Sequence, residues 1–171
     1  MKNSLVTSFL FAVTFICFPV LTAYGDSTTI TMQIAYDKEA DVPSTVRAEC
    51  ALETKLSDFI KSYAESNGVS VTSEKGDNAN AAGRVLDVRI THALARGGGA
   101  WSGPKSVAVR GELREGGKVV GSFRARRTSG GGAFGGFKGT CGILDRCAKT
   151  LGKDIAQWLK SPAMDSHLGE N

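Results

Sequence analysis

Two long alternating segments, separated by a short glycine loop, constrain this chain more than any other feature. Residues 105–114 put Val107, Val109, Gly111 and Leu113 on one side. Residues 118–128 do the same with Val119, Gly121, Phe123 and Ala125. Alternation with a period of two marks a strand with one buried face and one wet face. Joined by Glu115-Gly116-Gly117, the two segments read as an antiparallel hairpin. A three-residue loop pairs Leu113 with Val119 and Val109 with Phe123. A two-residue loop would set Leu113 opposite Val120 and send Phe123 to solvent, so the apolar faces favour the longer loop.

The same periodicity extends the sheet. Residues 28–36 alternate strictly, with Ile30, Met32, Ile34 and Tyr36 on one face. Val69 and Val71 make a short strand, and residues 85–94 a long one, with Leu86, Val88, Ile90, His92 and Leu94 inward. Two segments change to helical spacing. The first starts at Asp41-Val42-Pro43-Ser44, a capping side chain followed by proline, and carries Val46, Cys50, Leu52, Leu56, Phe59, Ile60 and Tyr63 to Asn67-Gly68. The second, over residues 142–160, carries Leu144, Cys147, Leu151, Ile155, Trp158 and Leu159, and Pro162 ends it. The order β-α-β-β-β-β-α predicts an α+β two-layer sandwich. Its sheet is five-stranded and mostly antiparallel, with two helices on one face and the other face solvated.

The N-terminus predicts export. Lys2 precedes an uncharged apolar run over residues 5–21, and Ala23-Tyr24-Gly25 places small residues at −3 and −1 of a cut before Asp26. The run is close to the lower limit of a membrane span, so an uncleaved anchor is the alternative. The small residues and the polar stretch from Asp26 favour cleavage. Residues 1–25 are therefore expected to be a signal peptide, 26–162 a single α+β domain and 163–171 a disordered polar tail. No later segment is apolar enough to span a bilayer.

Charge is segregated along the chain. Residues 84–128 hold ten basic against three acidic side chains, whereas residues 37–77 hold nine acidic against five basic. On the solvated sheet face the alternation places Arg89, Arg110, Arg114, Arg124 and Arg126. Arginine's forked, permanently charged donors suit phosphate and carboxylate groups. The competing reading is a solvated face on which Asp87 and Glu112 partly neutralise the arginines. Nucleic acid is not an expected partner of an exported chain. Two glycine-rich loops, GGGAWSG and SGGGAFGGFKG, present Trp101, Phe134, Phe137 and Lys138. Those rings either dock a partner or fold back over the ends of the core. The first loop has the spacing of a phosphate-binding loop at Gly98 and Gly103. Pro104 stands where that motif needs lysine, and a strand follows instead of a helix.

Cys50, Cys141 and Cys147 remain after cleavage, and an exported chain permits a disulfide. Cys141 and Cys147 are too far apart along one helix to bridge, which leaves Cys50 with either of them. Only His92 and His167 are present, so neither a metal site nor a cofactor is expected. There is no HExxH, GxSxG or CxxC pattern. A cysteine-dependent enzyme is the unfavoured rival, because packing explains an inward Cys147.

With this order of elements, the segment GGFKGTCGILDRCAKTLGKDIAQWL resembles a group of small exported bacterial envelope proteins. These look like the N-terminal α/β domain of TolB and related lipoproteins. The resemblance implies a non-enzymatic accessory module that binds an envelope protein or an anionic envelope component. Many relatives carry a lipobox cysteine at the cleavage site. Here Cys17 lies inside the apolar run, so the implied location is the periplasm, with outer-membrane association or secretion as an effector the alternatives.

Overall fold

The computed structural model describes residues 29–74, 83–95, 103–130 and 139–169. Six strands and three helices alternate as β1 (Ile30–Asp41), α1 (Ser44–Glu49), α2 (Leu52–Ser66), β2 (Val71–Ser73), β3 (Arg84–Leu94), β4 (Lys105–Glu115), β5 (Lys118–Ser129), α3 (Thr140–Trp158) and β6 (Ser166–Gly169). The strands form one sheet in the order β2-β1-β3-β4-β5-β6. Helices α2 and α3 pack on each other and over one face of it. The α+β architecture therefore agrees with the alternation, but three features differ from expectation.

First, the sheet is mixed and six-stranded. The central pairs β3/β4 and β4/β5 are antiparallel, whereas β1 is parallel to both β2 and β3, and β6 is parallel to β5. A parallel neighbour needs a crossover, and the helices supply it. The α1–α2 segment returns the chain from β1 to β2, and α3 returns it from β5 to β6. Each edge of the sheet is thus a β-α-β unit, and the antiparallel meander lies between them. Strand β6 falls in the stretch expected to be a disordered tail. It is held by pairing with β5, by Ser122 N–H donating to the Ala163 carbonyl at 3.1 Å, and by Trp158 Nε1 donating to Ser166 Oγ at 3.1 Å.

Second, the first helical segment is broken. Strand β1 runs through Asp41, so Asp41 does not cap a helix; Pro43 precedes α1 and no side chain caps it. Ala51 has φ = 47°, which the right-handed helix does not allow, and it separates α1 from α2. Cys50, just before this break, is bonded to Cys141 at the start of α3, with the two Cα atoms 4.9 Å apart. The bridge closes 91 residues of chain and staples the α1–α2 junction to α3. Cys147 keeps its thiol, buried, with Sγ donating to the Lys105 carbonyl at 3.5 Å.

Third, two bulges correct the strand faces. The hairpin turn is the two-residue Gly116-Gly117, both at positive φ (54° and 81°), as a primed turn requires. The pairing is Glu115 with Lys118, Arg114 with Val119 and, past a bulge at Val120, Leu113 with Gly121. Gly111 thus faces Phe123, and Val109 faces Ala125. The extra residue keeps Phe123 inside, which the longer loop was expected to do. Val119 and Val120 are left exposed. A second bulge in β3, after Ile90, turns Ala93 inward opposite Val107. His92 and Leu94, expected inside, become half-buried, and His92 Nδ1 lies 3.1 Å from Asp41 Oδ2.

The core fills the space between sheet and helices. Ile30, Met32, Leu86, Val88, Ile90, Val109 and Leu113 meet Leu52, Leu56, Ile60, Leu144, Leu151 and Ile155. Two glycines permit its closest approaches. A Cβ on Gly111 would run into the Phe123 ring, and one on Gly152 would lie 2.6 Å from Phe59 Cβ, so α2 and α3 touch backbone to backbone there. Phe123 in turn meets Trp158 edge-on, with centroids 4.8 Å apart. Arg127 donates to both carboxylate oxygens of Asp154, at 2.7 and 3.0 Å, and ties β5 to α3.

Candidate functional site

The face of the sheet away from the helices carries all five arginines that the alternation assigned to it. What the register adds is their alignment. Arg89 on β3 is the cross-strand partner of Arg110 on β4, and Arg110 is that of Arg124 on β5. Arg124 sits beside His167 on β6. Neighbouring strands lie about 4.8 Å apart. Three guanidinium stems and an imidazole therefore form one row, crossing four strands at right angles to the chain. A second row, Asp87, Glu112 and Ser122, runs beside it on the same three strands.

Like charges opposite one another on adjacent strands repel. The first row is stable because carboxylates answer most of it. Arg89 Nε lies 2.8 Å from Asp87 Oδ1, and Arg110 Nε donates to Asp37 Oδ2 at 2.7 Å. Arg114, one turn of the pleat away, pairs with Glu112 at 2.6 Å. Asp37 also accepts the Glu39 backbone N–H at 3.2 Å. That bond, then the Arg110 guanidinium, holds its carboxyl below the ordinary value of 3.8. Arg124 differs from its neighbours. It is exposed and has no acid or hydrogen-bond partner among the described residues.

A shallow open concavity of about 790 Å³ lies over this row, with Arg89, Arg110, Arg114, Arg124, Asp37 and His167 in its lining. Arg126 lies outside it and reaches Ser106 Oγ at 3.5 Å. The concavity brings together four of the five predicted arginines. It adds Asp37 and His167, which the sequence reading did not assign to this face. Asp37 lay one residue past the visible alternation of β1, and His167 is in a four-residue strand too short to show a period.

Chemically, this surface is an ion-pair lattice with an open cationic position at Arg124. Arg124, flanked by Arg110, can donate to both oxygens of a carboxylate or phosphate without displacing an existing partner. Ser122, Asp165 and His167 also meet here. Ser122 Oγ donates to Asp165 Oδ1 at 3.3 Å and accepts the Asp165 N–H at 2.8 Å. No hydrogen bond joins either to His167 among the described residues, so there is no nucleophile–base relay. Among the described residues no group of three His, Cys, Asp or Glu is placed to hold a metal. No helix there is long and apolar enough to cross a membrane.

Trp101, Phe134, Phe137 and Lys138 lie outside the described residues, as does the expected signal segment 1–25. The described residues flanking both glycine-rich stretches stand at one end of the sheet, where Lys105 pairs with Ser129.

No family model and no curated protein matches the chain. Among solved structures, it is similar to PelC from Paraburkholderia phytofirmans, solved as a dodecamer, at 16% identity and a TM-score of 0.48, over 75% of this chain and 87% of that one. A minor lipoprotein from Acinetobacter baumannii is similar at 12% identity and a TM-score of 0.43, over 79% of this chain and 94% of that one. A neuraminyllactose-binding hemagglutinin homologue from Helicobacter pylori is similar at 15% identity and a TM-score of 0.45, over 80% and 87%.

Proposed function

We propose that this chain is a non-enzymatic accessory module of the bacterial envelope, exported by cleavage before Asp26 and working in the periplasm. Its open sheet face binds an anionic group, carboxylate or phosphate, of an envelope protein or another envelope component. The observation that carries this reading is Arg124, a solvent-facing arginine beside Arg110 and His167 in a charge row where the other two arginines are already paired. A solvated face with no ligand would be served equally well by a polar residue at position 124. An arginine held opposite another arginine costs stability unless something else uses it.

The reading is tested by capturing envelope components on the immobilised protein and on an Arg110→Glu/Arg124→Glu variant. Capture by the native protein is expected to weaken as salt rises, over the range in which the Debye length falls from about 10 Å to about 3 Å. The variant is expected to lose it already at low salt. Equal capture by both proteins would remove the face from consideration. Intact mass of protein recovered from its own cells tests the location, with a chain beginning at Asp26 expected.

A further inference from the structure

A second concavity, of about 570 Å³, lies around the other edge of the sheet, and its chemistry is the reverse of the first. Strand β2 covers β1 only from Ile30 to Met32, and the ladder closes with Glu74 N–H donating to the Met32 carbonyl at 3.0 Å. Farther along, Arg47 covers the edge by donating to the Ala40 carbonyl at 3.0 Å and the Val42 carbonyl at 3.3 Å. Between these points Ile34, Ala35 and Tyr36 pair with β3 on one side. On the other side they have no strand among the described residues.

Gln33 lines this gap and is only 6% exposed, yet its Nε2 donor has no acceptor among the described residues. A buried donor left unmade costs about 1–3 kcal/mol, so such a group normally has a partner. The wall opposite is the outer face of α2, with Glu53, Thr54 and Asp58. Neither Glu53 nor Asp58 has a cationic partner among the described residues, although most carboxylates of the sheet face do. Arg89 stands at the inner rim, already engaged by Asp87.

We propose that this edge receives an extended peptide segment of a partner protein, with a lysine or arginine directed at Glu53 and Asp58. An added strand supplies main-chain groups to an unpaired edge, and its side chains supply selectivity. A peptide carbonyl gives Gln33 Nε2 the acceptor it lacks, and a basic side chain gives the two carboxylates their counter-charge. A divalent cation would satisfy the carboxylates but would leave the amide donor unmet. This proposal does not rest on the reading of the arginine face.

The test is titration of the isotope-labelled protein with a blocked octapeptide alternating valine and lysine, with a valine–glutamate octapeptide and calcium ions as controls. The lysine peptide is expected to shift the amides of Gln33, Ile34, Ala35 and Tyr36. Glu53→Gln with Asp58→Asn is expected to weaken it about three- to tenfold, the ratio that two part-exposed ion pairs supply. Gln33→Leu is expected to weaken binding while leaving the melting temperature unchanged or higher, which a merely structural glutamine would not do. Arg110→Glu/Arg124→Glu is expected to leave peptide binding unchanged. The proposal is overturned if the glutamate peptide binds as tightly, if calcium alone shifts the same amides, or if the lysine peptide shifts none of them at millimolar concentration.

Discussion

The two faces of the sheet are built from the same strands and solve opposite problems. On the helix side, Leu86, Val88, Ile90, Val109 and Leu113 disappear under α2 and α3, and every close approach is set by shape. On the open side, the intervening residues of the same strands carry arginines and carboxylates that settle into pairs at 2.6–2.8 Å. Burial is worth about 25 cal/mol per Å² of apolar surface, whereas part-exposed ion pairs are worth about 0–1 kcal/mol each. Stability should therefore reside almost wholly in the covered face. The open face is free to carry an arrangement, such as three aligned arginines, that stability alone would not select.

That division can be broken most directly at the disulfide. Replacing Cys50 and Cys141 by serine releases a 91-residue closure. It is expected to cost about 4–5 kcal/mol by the loop-entropy estimate, measured by urea unfolding. Leu151→Ala, in the fully buried contact between α3 and the core, is expected to cost about 3 kcal/mol. Gly152→Ala sharpens the point. Alanine favours a helix over glycine by up to about 1 kcal/mol, yet its Cβ would meet Phe59 at 2.6 Å, so a net loss of about 1–2 kcal/mol is expected. A gain in stability would show that α2 and α3 are not in backbone contact.

On the open face the expected effects on stability are small. Arg124→Ala is expected to change unfolding free energy by less than about 0.5 kcal/mol, because no described group depends on it. A loss above 1 kcal/mol would mean that Arg124 has a structural partner and would weaken its role as a ligand position. The Asp37–Arg110 pair gives the smallest effect, and its signature is the slope of the acid branch. Because the Asp37 carboxyl in the folded chain lies below 3.8, the pair's contribution is complete above that pH and is lost as pH falls through the lower, folded value. An Asp37→Asn variant is therefore expected to be slightly less stable near neutrality, to show a shallower acid branch of its stability curve, and to converge on the native protein once pH falls below the folded value.

Much of the covered face was legible in the sequence because side-chain period survives without knowledge of register. Leu86 to Ile90, Val107 to Leu113 and the stripe Leu144, Cys147, Leu151 and Ile155 all fall where the alternation and the helical spacing place them. What escaped was set by single residues or very short elements. One residue at Val120 changed the hairpin register, and one after Ile90 exchanged His92 for Ala93. Strand β6, four residues long, was not visible, and the parallel pairing of β1 with β2 and β3 and of β5 with β6 made the sheet mixed. The arginines of the open face were visible as a set, but their alignment into one row was not, because it depends on both bulged registers. Asp37 and His167 could not be placed because one lies just past the visible alternation of β1 and the other in a strand too short to show a period. The pairing of Cys50 with Cys141 rather than Cys147 was equally open, since only the helix break at Ala51 and the inward turn of Cys147 decide it.

The measurement that most directly tests the central claim is a titration of the isotope-labelled protein with inorganic phosphate at low ionic strength, followed by amide and arginine side-chain NMR. The account predicts that the shifts centre on Arg124, Arg110 and His167, fade toward Arg126, and vanish in the Arg124→Glu variant. Shifts spread evenly over the basic surface, or none in the row from Arg89 to His167, would contradict it.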